Sequence, residues 1–115
     1  MSKNYVLYNP LAGNKRCGDE INRIEALIDG KIVYCDMTKP ETYSDILPEM
    51  QRDDILIVCG GDGTLNRFIN LPYDYSEKNE VYYFPMGSGN DFAHELGRKY
   101  GDKPFNITKY LKDLP

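Results

Sequence analysis

Residues 54–64 read Asp-Ile-Leu-Ile-Val-Cys-Gly-Gly-Asp-Gly-Thr, an apolar run that passes directly into a glycine-rich turn. The run is continuously apolar from Ile55 to Cys59, which is typical of a parallel strand buried on both faces. The following segment, Thr64 to Leu71, has the apolar spacing of a helix, and Thr64 is suited to be its N-cap. A strand, a glycine turn and a helix in this order indicate part of a βαβ unit.

The same alternation of strand and helix continues on both sides of this segment. Other strands are predicted at Tyr5–Tyr8, Lys31–Cys35 and Glu80–Phe84. Other helices are predicted at Gly18–Asp29, Glu41–Leu47 and Asn90–Leu96 and after Asn106. Pro48 is expected to end the helix at Glu41–Leu47. Short connections between such elements predict a parallel sheet covered on both faces. We therefore expect one three-layer α/β/α domain over residues 1–115 with a Rossmann-like parallel sheet.

Composition excludes several classes of protein. The chain has 115 residues and no apolar run near the ~20 residues of a membrane span, and its start lacks a signal-peptide pattern. Three cysteines without a Cys-x-x-Cys pair argue against a disulfide framework or a zinc ribbon, and a single histidine argues against a Ser-His-Asp hydrolase. We expect a cytoplasmic protein with no metal site built from its own side chains.

Charge is unevenly distributed along the chain. The net charge of −4 argues against a dedicated nucleic-acid binder. Residues 98–115 carry five basic and two acidic side chains, a balance of +3, whereas residues 1–97 carry nine basic and sixteen acidic, a balance of −7. The basic end is suited either to peripheral contact with an anionic membrane or to a solvated helix face.

Three loops are predicted to meet at one edge of the sheet, because ligands of open parallel sheets bind beyond the carboxyl ends of the strands. The first strand is followed by residues 9–16 (Asn-Pro-Leu-Ala-Gly-Asn-Lys-Arg), the third by residues 60–64 (Gly-Gly-Asp-Gly-Thr) and the fourth by residues 87–91 (Gly-Ser-Gly-Asn-Asp). Each loop lies between a strand and a helix. Each can therefore direct backbone N–H groups and a helix N-terminus at a shared ligand.

The central turn has the pattern of a phosphate-binding loop. Gly60, Gly61 and Gly63 leave the backbone N–H groups open to an anion, and exposed N–H groups of this kind form an anion-binding nest. Asp62 lies inside the turn, where a carboxylate repels a phosphate unless a cation or a reacting hydroxyl lies between them. Asp62 is therefore expected to meet Mg²⁺ or to orient a substrate group, the alternative being that it caps an amide of the turn.

The other two loops and the second strand supply further candidates. Ser88 and Asn90 can donate to phosphate, and Asn9 can either hold a base or sugar or cap its own loop. Asp36 and Thr38 end the second strand, at about the distance from the first loop where dinucleotide folds place a ribose-binding acid. The chain has neither a G-x-G-x-x-G nor a G-x-x-x-x-G-K-[ST] motif, so nicotinamide and P-loop sites receive little support.

Three motifs resemble the catalytic domain of diacylglycerol kinases, in the order and spacing of that family. They are Asn-Pro-Leu-Ala-Gly at 9–13, Gly-Gly-Asp-Gly-Thr-Leu-Asn at 60–66 and Pro-Met-Gly-Ser-Gly-Asn-Asp-Phe-Ala at 85–93. The central motif also occurs in NAD kinases, while the other two select the lipid-kinase branch. The resemblance covers nearly the whole chain and implies the NAD kinase and diacylglycerol kinase-like α/β fold.

The resemblance also implies binding of ATP with Mg²⁺ and transfer of its γ-phosphoryl group to a lipid hydroxyl such as that of diacylglycerol, a step of phospholipid metabolism. Asp62 is the catalytic candidate. The resemblance places ATP at the Gly60–Thr64 loop and Ser88, with the sugar and base near the end of the second strand. Together with the residues singled out above, the nucleotide-binding candidates are Asn9, Gly13, Asp36, Thr38, Gly60, Gly61, Asp62, Gly63, Thr64, Asn66, Arg67, Gly87, Ser88, Gly89 and Asn90.

The chain departs from the family in two respects. The family commonly has Glu where this chain has Arg67, so Thr64 to Arg67 is not a capping box. We expect Arg67 in the first helical turn, contacting nucleotide phosphates. The second departure is length, because the family adds a β-rich domain with the lipid pocket and the catalytic base. The expectation is a fragment that holds only the nucleotide-binding domain and is inactive alone; the alternatives are an NAD kinase-like domain or a non-catalytic nucleotide-binding module.

Overall fold

A computed structural model of the chain describes residues 2–11, 21–73, 75–86 and 103–112. Its core is a single sheet with the strand order β2-β1-β3-β4-β5. The strands are β1 (Lys3–Tyr8), β2 (Lys31–Asp36), β3 (Ile55–Gly60), β4 (Glu80–Pro85) and β5 (Phe105–Asn106). The first four run parallel, which confirms the predicted α/β fold with a Rossmann-like sheet.

The fifth strand was not predicted. It pairs antiparallel with β4 through only two residue pairs, Tyr82 with Asn106 and Tyr83 with Phe105. Two residues are too few for an alternating or continuously apolar pattern, so no sequence signal marks this strand. The four predicted strands are each present, and their ends lie within two residues of the predicted bounds, which is the usual uncertainty of element ends.

Helical segments connect the strands and are mostly short. They are a 3₁₀ helix at Ile21–Ala26, a π-helix at Thr42–Ile46, 3₁₀ turns at Leu47–Glu49 and Tyr75–Glu77, and the α-helices α1 (Asp62–Ile69) and α2 (Thr108–Lys112). Pro48 was expected to end the second helix, but it lies inside the 3₁₀ turn that continues it. The predicted Asn90–Leu96 helix lies outside the described residues.

The first helix ends earlier than predicted. Its predicted start at Gly18 lies outside the described residues, and its described part stops at Ala26 rather than at Asp29. The Asp29 carbonyl accepts a hydrogen bond from Asn4 Nδ2 at 2.9 Å, which ties this segment to β1 instead of continuing the helix. Gly30 follows with φ +97°, a backbone conformation that favours glycine and turns the chain into β2.

Helix α1 begins two residues before the predicted start, and this changes two predictions. Gly61 is the N-cap, so Asp62 and Gly63 are helical and Thr64 is the third residue of the helix rather than its cap. Arg67 consequently lies in the last turn, where a positive charge is favourable to the helix dipole, and not in the first turn. Glycine and aspartate are weak helix formers, which is why the spacing of apolar side chains placed the start too late.

Two apolar clusters cover the two faces of the sheet, as the prediction of helices on both sides requires. One contains side chains of the sheet, α1 and the segment before α2: Tyr5, Leu7, Leu56, Val58, Leu65, Phe68, Tyr83 and Ile107 among others. The other contains Val6, Ile57, Cys59 and Phe84 packed against Ile21 and Ile24 of the first helix. Tyr82 and Tyr83 face opposite clusters, as predicted for neighbours in a strand.

The amino-terminal edge of the sheet is held by a buried carboxylate. Asp54, 2% exposed, accepts hydrogen bonds from the backbone N–H groups of Lys3 and Gln51, both at 2.8 Å. Asn79 donates to the carbonyls of Gln51 and Asp54 at 2.7 and 3.0 Å. These hydrogen bonds offset the desolvation cost of the buried carboxylate, and they connect the starts of β1, β3 and β4.

Alkaline pH is expected to destabilise the fold. Burial raises the pKa of the Cys35 thiol from 9.0 to about 12 and that of Tyr75 from 10.0 to about 12. Because the folded state holds these protons more tightly, their contribution to stability is complete below about pH 9 and is lost as the pH rises toward about 12. Urea midpoints measured at pH 8, 10 and 11.5 should fall, and less steeply in Tyr75→Phe. A midpoint that stays constant over this range would contradict the assignment.

Cys35 and Cys59 are buried and neither forms a disulfide, and a buried thiol of this kind packs as a small apolar side chain. Cys17 lies outside the described residues. In the described ranges, no helix combines the length and the apolar character needed to cross a bilayer.

Candidate functional site

The strand ends that carry the predicted loops lie level with one another. Tyr8, the last residue of β1, pairs with Asp36 on one side and with Cys59 on the other. Gly60 pairs with Pro85 at the end of β4. The segments that begin with Asn9, Met37, Gly61 and Met86 therefore all leave the sheet at the same edge.

The strand order reverses at this edge, between β1 and β3. From β1 the chain passes to β2 on one side and then to β3 on the other, so the connections before and after β2 lie on opposite faces of the sheet. In open α/β sheets, ligands bind at such a reversal, outside the carboxyl ends of the two central strands. Here these ends are Tyr8 and Gly60, and the loops that follow them are the first two predicted motifs.

Two hydrogen bonds, one from β4 and one from the residue after it, fix the turn that follows β3. The carbonyl oxygen of Gly60 accepts a hydrogen bond from the Met86 N–H at 2.9 Å and another from the Tyr83 hydroxyl at 3.0 Å. Gly61 follows in extended conformation, and its carbonyl accepts the Leu65 N–H at 3.1 Å to open helix α1. The turn therefore has a single defined conformation, with the first N–H groups of α1 at the edge of the sheet.

Gly60 is required by the fold itself. Its φ is +152°, and a Cβ atom at this position would lie 2.5 Å from both Cβ and Oγ1 of Thr64. Thr64 is 5% exposed, so it has little room to move. Thr64 thus acts by packing against the strand end, and its hydroxyl does not cap the helix.

Gly63 is not required by its contacts with the residues that the structure describes. It is exposed, it lies at the second position of α1, and a Cβ atom there would meet no atom of those residues within 4 Å. Glycine in a helix costs roughly 0.5–1 kcal/mol relative to alanine. Open space in front of a helix N-terminus, maintained at a cost in stability, indicates close approach of a ligand to the backbone.

Asp62 is the first residue of α1 and is partly exposed at the same edge. Its negative charge adds to burial in raising the pKa of the Tyr83 hydroxyl, which places the carboxylate near Tyr83 and the Gly60 carbonyl. Within the described ranges, no group of three or more histidine, cysteine or acidic side chains converges to hold a metal ion. A single carboxylate beside an anion nest fits Mg²⁺ that arrives with phosphate oxygens and water, as this ion usually binds.

Two predicted side chains at the neighbouring strand ends hold their own loops. Asn9 Oδ1 accepts the Leu11 N–H at 3.0 Å, so the carboxamide oxygen caps the loop, one of the two roles considered for this residue. Asp36 Oδ1 accepts both the N–H and the hydroxyl of Thr38, at 2.8 and 2.6 Å. Asp36 and Thr38 thus form one exposed, preorganised turn at the end of β2.

Asn66 and Arg67 lie further along α1 than expected. The Asn66 carbonyl and Oδ1 both accept from Asn70 Nδ2, at 2.8 and 3.3 Å, which directs Asn66 toward the end of the helix. Arg67 is exposed and lies near Tyr43: burial raises the pKa of Tyr43, Arg67 opposes this shift, and Asp36 adds to it.

The remaining predicted residues cannot be placed. Gly13, Gly87, Ser88, Gly89 and Asn90 lie outside the described residues. The structure brings together Asn9, Asp36, Thr38 and residues 60–64 at one edge of the sheet, and leaves Asn66 directed away from it. Sequence reasoning missed Tyr83, whose hydroxyl contacts the turn, because a tyrosine in a β-rich run is indistinguishable from an ordinary core residue.

Comparison with known proteins identifies a family for nearly the whole chain. Residues 3–113 match the family described as the diacylglycerol kinase catalytic domain. A protein of Caenorhabditis elegans named "Probable diacylglycerol kinase 3" is 30% identical over 95% of this chain and 14% of its own length. The diacylglycerol kinases of Staphylococcus carnosus and Staphylococcus haemolyticus are 30% and 28% identical, each over 79% of this chain and over 31% and 29% of their own lengths.

The chain therefore spans less than a third of the length of each of these relatives. The family match itself covers nearly all of the chain and includes the three loops. The mostly parallel sheet with helices on both faces is the fold that the resemblance implied. The chain belongs to the diacylglycerol kinase catalytic domain family.

Proposed function

We propose that this chain is the nucleotide-binding region of an ATP-dependent lipid kinase, with the phosphate chain of ATP bound at the turn formed by residues 60–63. The observation that carries the proposal is Gly63. It is a glycine whose Cβ position is clear of every described residue, at the second position of a helix whose N-terminus lies at the strand-order reversal. A bound phosphate explains why a side chain is absent there.

The arrangement along the edge suits an extended nucleotide. Neighbouring strands lie about 4.8 Å apart, so the ends of β2 and β3 are separated by roughly 10 Å across β1. We place the phosphate chain at the end of β3 and the ribose and base toward Asp36 and Thr38 at the end of β2. Arg67, near Tyr43 on the β2 side, would then contact the nucleotide and offset its negative charge.

Phosphoryl transfer depends on positioning and on charge stabilisation more than on covalent chemistry, and the groups at this edge are of that kind. Backbone N–H groups of the turn would hold the phosphate oxygens. Asp62 would hold Mg²⁺, which when bound neutralises phosphate charge. We propose that the acceptor is a lipid hydroxyl, as the names of the relatives suggest, and that the lipid pocket and the general base come from residues outside this chain.

The 115-residue chain alone is then expected to bind nucleotide weakly and to transfer no phosphate. Incubation of the purified chain with Mg-ATP and diacylglycerol in mixed micelles, followed by measurement of phosphatidic acid, tests this part. Lipid phosphorylation above a protein-free control would overturn it.

The role of Asp62 is tested by titrating ATP into the chain in a calorimeter, with Mg²⁺ and with EDTA. In the native chain, Mg²⁺ should strengthen ATP binding. In Asp62→Asn, affinity with Mg²⁺ should fall about tenfold, while affinity in EDTA should stay equal or rise because a repulsive charge is removed.

Asp53→Asn is the matched control, since Asp53 is an exposed aspartate at the opposite edge of the sheet, two residues before β3. It should leave both affinities unchanged. Equal Mg²⁺ dependence in Asp62→Asn and in the native chain would show that Asp62 does not meet the metal ion.

A further inference from the structure

Tyr83 combines full burial with a polar contact at the candidate site. It lies in β4 at 0% exposure, with its ring packed edge-on against Phe105 at a centroid distance of 5.8 Å. Its hydroxyl reaches the carbonyl oxygen of Gly60 at 3.0 Å. The Met86 N–H already satisfies this carbonyl, so the hydroxyl is a second donor to an oxygen that has two lone pairs.

The contact has a geometric consequence for the next residue. The described peptide bonds are all trans, so the N–H of Gly61 points opposite to the C=O of Gly60. That C=O is directed at β4, where Met86 and Tyr83 donate to it. The Gly61 N–H is therefore directed away from β4, toward the side of the sheet where β1 ends.

Phenylalanine would fill nearly the same volume without the cost of burying a hydroxyl. Burial raises the pKa of the Tyr83 hydroxyl, and the nearby Asp62 charge raises it further, so the group remains a donor at neutral pH. The Tyr83 hydroxyl is a buried donor in addition to the one that the Gly60 carbonyl already has, and it contacts the first peptide of the turn. This contact is best explained by the orientation that it imposes on the Gly60–Gly61 peptide.

We propose that Tyr83 is a positioning residue for phosphate binding: its hydroxyl holds the Gly60–Gly61 peptide so that the Gly61 N–H faces the bound phosphate chain. The proposal rests on the proposed function, because it names the group that orients the same turn. Tyr83 does not itself touch the nucleotide.

The test compares Tyr83→Phe with Tyr82→Phe in the 115-residue chain. Tyr82 is the neighbouring tyrosine of β4, and its side chain is half-buried on the opposite face of the sheet. Three readouts are used: the amide resonance of Gly61 without ligand, the affinity for tripolyphosphate and Mg-ATP, and the chemical denaturation midpoint. Loss of one orienting hydrogen bond should weaken tripolyphosphate binding about three- to tenfold.

We expect Tyr83→Phe to move the Gly61 amide resonance and to weaken binding of tripolyphosphate and Mg-ATP, while the fully folded variant keeps all other resonances of the α1 region. Tyr82→Phe should change neither the resonance nor the affinities. A lower denaturation midpoint with unchanged resonance and unchanged affinity would mean a structural role only and would overturn the proposal.

The same titrations separate the two proposals. If the native chain binds tripolyphosphate but not Mg-ATP, and Tyr83→Phe weakens tripolyphosphate, the nucleotide function fails and the positioning role stands. If the native chain binds both and Tyr83→Phe binds both equally well, the function stands and the positioning role fails. If the native chain binds neither, both are overturned.

Discussion

Gly60→Ala is expected to lower the free energy of unfolding by about 3 kcal/mol. A side chain at a φ of +152° is strained, at a cost of about 1–2 kcal/mol. The new methyl group would also overlap buried Thr64, and overpacking in a rigid site costs typically 1–3 kcal/mol more. The two costs arise from the same atom and act on the junction between β3 and α1.

Urea denaturation followed by circular dichroism measures the effect. Gly60→Ala/Thr64→Ser is the informative companion variant, because serine removes the Thr64 methyl group, one of the atoms that would meet the added Cβ. It should recover part of the loss. Equal stability of Gly60→Ala and the native chain would show that the turn does not have the described conformation.

Gly63→Ala, in contrast to Gly60→Ala, is expected to stabilise the fold, and it is expected to weaken Mg-ATP binding strongly. A Cβ at this exposed helical position meets no atom of the described protein, so alanine should stabilise the fold by roughly 0.5–1 kcal/mol. The same methyl group would project into the space where we propose the phosphate chain lies. Loss of one hydrogen bond between a backbone N–H and a charged phosphate costs about 1.5–3 kcal/mol, which is tenfold or more in affinity.

The pair of results is more informative than either one. A higher denaturation midpoint together with a tenfold or larger loss of Mg-ATP affinity can be explained only by a ligand at this position, since the fold itself has improved. Asp53→Ala serves as the control, because Asp53 is exposed at the opposite edge of the sheet, two residues before β3. A Gly63→Ala variant that is more stable and binds Mg-ATP normally would remove the main support for the proposed site.

The order of the parallel strands could be predicted far less well than their existence. The apolar run before Gly60 and three similar runs identify strands because a strand buried on both faces must be apolar throughout. The antiparallel β5 could not be found, since it has two residues and depends on tertiary pairing with β4. The order β2-β1-β3-β4-β5 likewise follows from contacts that no local pattern contains.

The candidate site could likewise be predicted only in part from the sequence. Glycine spacing located the turn, but apolar periodicity placed the start of α1 at Thr64, and this displaced Arg67 from the last turn of the helix to the first. The periodicity of buried side chains does not report on the exposed Asp62 and Gly63 that begin the helix. Whether Arg67 contacts nucleotide phosphates stays a prediction, now with Tyr43 as its neighbour.

Sequence could not distinguish between the two kinds of glycine in the turn. Gly60 and Gly63 look equivalent in the motif, yet one is required by packing against Thr64 and the other faces open space. Only the backbone conformation and the surrounding atoms separate a structural glycine from one that admits a ligand. Tyr83 was missed for a similar reason, because its contact with the Gly60 carbonyl spans 23 residues.

Binding of a nucleotide's phosphate chain at the turn of residues 60–63 can be tested by titrating Mg-ATP into the isotopically labelled chain and following the amide resonances residue by residue. We expect Gly61, Asp62 and Gly63 to show the largest changes, and adenosine alone to leave these three resonances in place. Saturable binding of Mg-ATP that leaves these three resonances unmoved, or the absence of any binding, would contradict it.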